Sequence, residues 1–485
     1  MHRYLVIFRD IHVEFSVPEL LSVYSLVARR LNNSSAKPNL QKDSFGETIR
    51  LVSCDVETGS KKNRNIFYFA SFESDHEAFL VGSRCVLVRA IIRLWSYARS
   101  HELCLKELQN LRKESFKELF LSEKDSFRCR LFSYGRRYSQ GETVDRINFY
   151  SSILQQFPGK INLQNFKHEI WIVEDSFPKT GHTNEPCRTD IPSQVFVGRL
   201  VAEGCIKQVQ KYTLKKRNFI GTTSMDAELA FVMANFALAD DWKLILDPFV
   251  GTASILISCA AFGAQTLGSD LSFTVLKGKS EGKNILSNFR QYNLQLPLDI
   301  VRCDILHNPW RHESVMSNHM KCCGWLDAIV ADLPYGVRES SREFVGEKLH
   351  SKFVLNHIPK TSRVGLDNLV SSLFDFATFS LVGGGRLVFW LPCTNEFSEY
   401  DKTNIWHPSF ISIAACRQIL ASRFHRILFV FERKQWENDR SHDEDMSSAF
   451  LHQAPFYKDF AAKLFREEKR AEDALFRKGQ WRRIE

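Results

Sequence analysis

Between residues 242 and 336 four short apolar runs each end in an aspartate: KLIL leads into Asp247, TLGS into Asp270, IVRC into Asp304 and AIVA into Asp332. Apolar strands alternating with helices predict a parallel, doubly wound sheet, because strands covered on both faces read as near-continuous hydrophobic runs. Ligands bind such sheets beyond the carboxyl ends of the strands. One acid at a strand end is an ordinary helix cap. Four of them, on one edge of one sheet, predict a binding site.

The α/β pattern covers 224–432. It opens on SMDAELAFVMANFALAD (224–240), a helix with Ser224 as its expected cap. It includes LVSSLFDFATFSLVGGGRLVFWLP (369–392), which reads as helix, triple-glycine turn and strand. Residues 338–365 are polar and charged and predict a long loop. Residues 1–185 mix the two element types. Strands are expected at 4–8, 65–72, 126–135 and 168–175, and helices at 18–31 (opening on Pro18), 75–98, 100–114 (capped by Ser100) and 143–157. That order predicts one or two small sheets with helices on one face, an α+β region. A Pro-, Ser- and Thr-rich stretch after 176 marks a boundary, 186–223 forms a linker into the α/β domain, and 433–485 is a charged peripheral tail.

With 44% hydrophobic and 25% charged residues over 485 positions, the chain has the balance of an ordinary globular protein. The N-terminal MHRYLVIFRDIHVEF is a strand pattern, too short in its apolar core for a signal peptide. No run approaches the roughly 18 apolar residues of a membrane span. Twelve cysteines without a CxxC pair fit small buried hydrophobes in a reducing, cytoplasmic setting. His307, His312, His319, Cys322 and Cys323 match no zinc spacing, so no metal is expected there. The net charge of +9 permits a polyanionic partner. KQVQKYTLKKR (207–217) holds five basic residues and no acid, and SFRCRLFSYGRRYS (126–139) interleaves Arg128, Arg130, Arg136 and Arg137 with aromatics. Either alone reads as a solvated basic face; together they bring a nucleic-acid surface into consideration.

The acids carry chemical information. DPFVGT places Gly251 directly after the first strand, where backbone can approach a ligand. The dinucleotide fingerprint G-x-G-x-x-G is absent, which weakens a nicotinamide or flavin reading. Asp270, at the second strand end, is placed to accept from ribose hydroxyls, and Asp304 from an adenine amino group. A nucleoside without phosphates in an acid-rich pocket points to S-adenosylmethionine, whose sulfonium and amino group are positive. In DLPYG (332–336) two acceptors, the Asp332 carboxylate and the Leu333 carbonyl, can draw an exocyclic amino nitrogen toward tetrahedral geometry. Pro334 sets the turn and Tyr335 can stack on a flipped base, worth about 1–3 kcal/mol. Such catalysis is orientation and electrostatics, with no covalent intermediate.

In this order on one sheet, DPFVGT, GSD and DLPYG resemble the class I (Rossmann-like) amino-methyltransferases with a D/N-P-P-Y/F motif. More narrowly, VFVGRLVAEG, YTLKKRNFIGTTSMDAELAFVMAN, DPFVGTASILISCAAFGA, DLPYGVRESSRE, LVGGGRLVFWLP and WHP resemble the eukaryotic tRNA guanine-N2-methyltransferases that modify guanosine 10. The N-terminal region is similar in length and layout to that family's ferredoxin-like and THUMP domains. The resemblance implies transfer of one methyl from S-adenosylmethionine to the guanine amino group in tRNA. It implies a tRNA grip by the N-terminal region and a small zinc-containing activator subunit as partner. By position, Asp247, Phe249, Gly251 and Asp270 contact the cofactor, Asp304 lies near its adenine, and Ser224, Met225 and Asp226 begin the helix beside its methionine moiety. Asp332, Leu333, Pro334 and Tyr335 form the target-base site, with Arg338 and Arg342 as phosphate contacts. Three positions depart from the family pattern: Ala253 for the second glycine of G-T-G, Ser272 for the second acid of D-x-D, and Leu333 for the first proline. Alternatives to weigh are another tRNA position or nucleic-acid base, a protein glutamine, and a non-catalytic tRNA-binding relative, the last resting on these three departures.

Overall fold

In a computed structural model of the chain, the described residues are 2–34, 52–53, 66–111, 125–176, 192–310, 324–334, 342–344, 361–394, 405–421 and 424–435. The chain divides into two compact units, Met1–Ile206 and Lys207–Glu485.

The first unit runs β1 (His2–Phe8), α1 (Val13–Ser34), β2 (Val52–Ser53), β3 (Phe67–Phe72), α2 (Asp75–Arg84), β4 (Val88–Ala98), α3 (His101–Asn110), β5 (Phe127–Tyr134), α4 (Gln140–Asn148), α5 (Ser151–Leu154), β6 (His168–Asp175) and β7 (Gln194–Glu203). Its seven strands form one sheet in the order β2-β3-β1-β4-β7-β6-β5. The apolar faces of β1, β3 and β4 pack with Leu20, Val23, Ala78 and Val81 of α1 and α2 in one core. A second core joins Cys104 and Leu108 of α3 to Phe127, Tyr150, Ile153 and Ile170.

Four expectations change here. The apolar stretch 75–98 is two elements. Ser74 caps α2, accepting from the Glu77 N–H at 3.1 Å, and the chain then returns as β4 through the middle of the sheet. α1 begins at Val13 and carries Pro18 inside it. The helix expected over 143–157 is the pair α4 and α5, the first held by a capping box between Ser139 and Glu142. The expected 186–223 linker contains β7, which pairs antiparallel with both β4 and β6 and so belongs to this sheet.

The second unit runs α6 (Ala227–Phe236), β8 (Leu244–Asp247), α7 (Ser254–Ala261), β9 (Gln265–Asp270), α8 (Phe273–Lys277), α9 (Ile285–Gln291), β10 (Asp299–Arg302), β11 (Leu326–Asp332), β12 (Arg342–Phe344), β13 (Thr361–Arg363), α10 (Leu366–Ser380), β14 (Leu381–Thr394), β15 (Phe410–Ala421) and β16 (Phe424–Arg433). The main sheet has the order β10-β9-β8-β11-β14-β16-β15. Its first five strands are parallel, as the alternation predicted, and β14, β16 and β15 are antiparallel. α10 lays Leu369, Val370, Leu373, Phe374 and Ala377, a helical stripe, against Ile329, Leu387 and Phe429 of the sheet. Each such fully buried side chain contributes about 1.5–3 kcal/mol.

Three details differ from expectation. The triple glycine is no turn between helix and strand. It lies within β14, where the pairing with β11 shifts register between Leu326 and Ala328 and Gly384 takes φ +78°. Within the expected 338–365 loop, β12 and β13 pair antiparallel. Between Thr394 and the charged tail the patterning gives no element, yet β15 and β16 complete the sheet. Residues 436–485 of the expected tail lie outside the described residues. Among the described residues no helix is long and apolar enough to cross a membrane.

Candidate active site

The crossovers on either side of β8 lead to β9 and β11, so the crevice of this doubly wound sheet opens at the carboxyl ends of those three strands. Asp247, Asp270 and Asp332 are their last residues. Asp247 is 1% exposed, and its Oδ1 accepts from the Phe249 N–H at 3.0 Å. Burial raises its pKa well above the usual carboxylate range. The Phe249 N–H opposes that rise, while the charges of Asp270 and Asp332 add to it. Asp247 therefore senses the charges of the other two acids.

Asp270 anchors the glycine turn. Its Oδ2 accepts from the Gly251 N–H at 3.0 Å and its Oδ1 from the Ser272 N–H at 2.8 Å. Gly251 takes φ +48°, and a Cβ there would meet nothing closer than the Phe249 carbonyl at 3.9 Å, so the turn faces open space. Ala253, at φ +65° and ψ +31°, ends the turn and starts α7. Phe249 packs against the α10 core. Asp304 follows β10 closely: the Cys303 N–H donates to the Asp270 carbonyl at 3.1 Å. Its carboxylate is buried, accepts from the Leu306 N–H at 3.0 Å and lies 3.3 Å from His307 Nδ1. Of the five His and Cys residues noted between 307 and 323, only His307 lies within the described residues.

Ser224 joins this cluster by a different role from the one expected. Its hydroxyl lies 2.6 Å from Thr252 Oγ1, tying the segment before α6 to the glycine turn. The cap of α6 is Asp226, accepting from the Glu228 N–H at 2.9 Å. A cap there needs an acceptor two or three residues before the first free N–H groups, and Asp226 has that spacing. Met225 is buried between them. The lead-in segment is held by Asn288 of α9, fully buried, whose amide accepts from the Phe219 N–H at 2.9 Å and donates to its carbonyl at 2.8 Å.

Asp332 ends β11 with its Oδ2 3.4 Å from a guanidinium nitrogen of Arg426 on β16. Leu333 is 2% exposed and belongs to the α10 core, so an apolar residue at this departure from the motif has a packing role. Pro334 is the last described residue of the stretch; Tyr335 and Arg338 lie outside the described residues, and Arg342 is placed only as the first residue of β12. Arg426 was not singled out in the sequence; its signal was an arginine opening the apolar run ILFVF.

The basic stretches divide. Lys215 and Lys216 are exposed, but Arg217 is buried and donates to Ser254 Oγ at 2.6 Å and to the Tyr212 carbonyl at 2.9 Å. In the first unit Arg128 pairs with Glu169 at 2.8 Å and stacks 3.9 Å from the Phe166 ring. Arg130 lies 4.8 Å over Trp171 and Arg136 4.9 Å over Tyr138. Three of the four arginines are thus engaged by aromatic rings of their own unit, and Arg130 and Arg137 are the two exposed ones.

Known families and proteins resemble the chain over both units. Residues 47–205 match the family described as Tmrp11 THUMP N-terminal domain, and residues 215–366 match the RMKL-like methyltransferase domain. The tRNA (guanine(10)-N(2))-methyltransferase TRMT11 of Pongo abelii is 30% identical over 473 residues, covering 93% of this chain and 92% of that protein. The Homo sapiens protein of the same name is likewise 30% identical, over 93% of this chain and 92% of its own length. That of Dictyostelium discoideum is 30% identical over 92% of this chain and 85% of its own. Among solved structures, TrmN from Thermus thermophilus is 16% identical with a TM-score of 0.39, covering 89% of this chain and 100% of that one.

Proposed function

The chain belongs to the tRNA (guanine(10)-N2)-methyltransferase family, and we infer on that basis that its acid-lined crevice is where a methyl group passes from S-adenosylmethionine to the exocyclic N2 of guanosine 10 in tRNA. The enzyme is a class I methyltransferase preceded by a THUMP domain.

The crevice fits this cofactor. The Gly251 turn leaves open space above its backbone. Asp247, buried beside two other acids, gains from a neighbouring positive group such as the sulfonium or the amino group. The backbone bonds of Asp270 to Gly251 and Ser272 fix its carboxylate, an acceptor of the kind ribose hydroxyls require, beside that turn. Asp304 completes the set beside it. When bound, the cofactor supplies an electrophilic methyl on sulfur. The remaining work is the protein's. Asp332 and the Leu333 carbonyl accept from the two N–H groups of the guanine amino nitrogen and localise its lone pair along the line of attack. Tyr335 stacks on the flipped base. The observation that carries this assignment is Asp332 at the switch point, last in a strand next to the Asp247 strand.

The test is Asp332→Ala with labelled cofactor, tRNA and nucleoside mapping. Methyl transfer to guanosine 10 falls by about 10²-fold or more, as for removal of a preorganised transition-state group, while cofactor affinity by calorimetry stays near wild type. Retained turnover would contradict the assignment.

The zinc-containing activator is part of the same reading. Its support is the edge of the sheet: β10 has no neighbour on its outer side among the described strands, and Leu298 (59% exposed), Leu296 (40%) and Phe273 (49%) flank it. An open strand edge rimmed by apolar side chains suits strand addition by a partner. Leu298→Asp is expected to abolish co-purification with the activator and leave the isolated chain's melting temperature unchanged; undiminished co-purification would remove this edge from consideration. The described cysteines are free thiols, which fits a cytoplasmic location.

A further inference from the structure

We propose that Arg426 is a positioning residue for methyl transfer, holding the Asp332 carboxylate in place at the end of β11. The proposal rests on the reading of Asp332 as the target-site acid.

The geometry is built across four strands. Arg426 sits on β16, and β14 separates that strand from β11. Its side chain crosses β14 over Trp390, with the guanidinium carbon 4.0 Å from the ring centroid, and ends 3.4 Å from Asp332 Oδ2. From the other side, Gln418 of β15 accepts from Arg426 Nε at 2.7 Å. Register fixes each member: Trp390 is the partner of Asp332, and Gln418 is the partner of Arg426. Trp390 is fully buried and donates its indole N–H to Met233 Sδ of α6 at 3.1 Å, so the platform under the guanidinium is itself held. The Arg426 side chain is 11% exposed and that of Asp332 23%. An exposed ion pair contributes little because its partners are mobile and screened. Here stacking and the Nε bond fix the guanidinium before it meets the acid.

The crevice explains why such a cation is needed. The charges of Asp332 and Asp270 both raise the proton affinity of the buried Asp247 on the neighbouring strand, and like charges that converge act on one another. A protonated Asp332 would offer an O–H donor to an amino group that is itself a donor. Arg426 sets a positive charge against Asp332, favouring the acceptor form. Its removal should raise the proton affinity of Asp332, so activity that needs the ionised acid is lost at a higher pH as the medium is acidified.

The experiment is single-turnover methyl transfer from labelled S-adenosylmethionine to tRNA by the full-length protein in its active form, from about pH 5 to 9. Arg426→Gln, Arg426→Lys, Asp332→Asn and the Arg426→Gln/Asp332→Asn double variant are compared. Arg426→Gln is expected to lower the rate about 10- to 100-fold, to move the acid limb to higher pH and to leave cofactor affinity unchanged. Arg426→Lys restores the acid limb and part of the rate. In the Asp332→Asn background Arg426→Gln adds less than about threefold, because residues acting through one another are non-additive. An acid limb unmoved by Arg426→Gln, or the same rate penalty with Asp332→Asn as without it, would overturn the positioning role while Asp332 stands. Wild-type turnover by Asp332→Asn alone would instead defeat the reading of Asp332, a separate result.

Discussion

Ala253 holds a backbone conformation that an L-residue adopts at a penalty of about 1–2 kcal/mol, the left-handed region at φ +65°. Alanine stands here where the family pattern has its second glycine. The structure gives a conformational reason for glycine: the turn from Gly251 into α7 closes through a left-handed residue, with the Ala253 N–H donating to the Val250 carbonyl at 2.7 Å. Glycine loses more chain entropy on folding, about 0.5–1 kcal/mol, which offsets part of the gain. Ala253→Gly is therefore expected to stabilise the second unit by roughly 0.5–1 kcal/mol, a rise in melting temperature of about 1–4 °C by calorimetry. A lower melting temperature would mean that packing of the buried Ala253 methyl outweighs backbone strain. The same scale shows what could be read from sequence. The strand-end acids were legible because the signal is local, an apolar run and then a carboxylate. Arg426 was not, since it meets Asp332 across 94 residues of sequence and only the sheet order brings them together. Ser224 and Asp226 were both noticed, but which one caps α6 depends on the geometry of the turn.

Among elements, the second unit was read well where strands are buried on both faces, and the first unit less well where helix and strand share one apolar run. DHEAFLVGSRCVLVRAIIRLWSYA has helical composition up to Arg84; from Val86 it turns β-branched and aromatic, and long-range pairing with β1 and β7 settles it as β4. Periodicity alone does not separate a buried strand from a buried helix. The basic segment 207–217 shows a similar limit, because charge says nothing about direction. Arg217 points inward to Ser254 at the start of α7, where burial lowers its pKa, while Lys215 and Lys216 point to solvent. The two kinds of residue should fail differently. Arg217→Ala removes two hydrogen bonds from a charged group at 1.5–3 kcal/mol each at most, and is expected to destabilise the unit by about 2–4 kcal/mol. Lys215→Ala/Lys216→Ala should leave the melting temperature unchanged and weaken tRNA binding, lowering the salt slope of log K by roughly 1–2. Thermal melts and binding isotherms over a salt series check both, and a salt-independent loss in the lysine variant would make these residues structural.

For the molecule as a whole, the sequence order of α+β followed by α/β predicted two architectures, and both are present; the boundary between them was misplaced. Composition marked the Pro-, Ser- and Thr-rich stretch after 176 as the end of the first unit, but a turn-rich segment between two strands of one sheet has the same composition as a linker between domains. β7 lies beyond that stretch and returns to the first sheet, pairing with β4 along Ala90–Ala98 and with β6 along Ile170–Asp175. Without it the sheet separates into β2-β3-β1-β4 and β6-β5, and the buried Val195, Phe196 and Val197 leave their cores. Two new strand edges would face solvent, a condition that favours aggregation. A fragment of residues 1–206 is therefore expected to be monomeric by size exclusion and to unfold in one cooperative transition, since it retains both of its cores. A fragment ending at residue 185 is expected to show no cooperative transition and to aggregate. Burial of three apolar side chains at about 1.5–3 kcal/mol each is comparable to the whole stability of a typical domain, about 5–15 kcal/mol. Equal melting curves for the two fragments would mean that β7 only rests against a sheet already stable without it, and would return the boundary to the segment after 176.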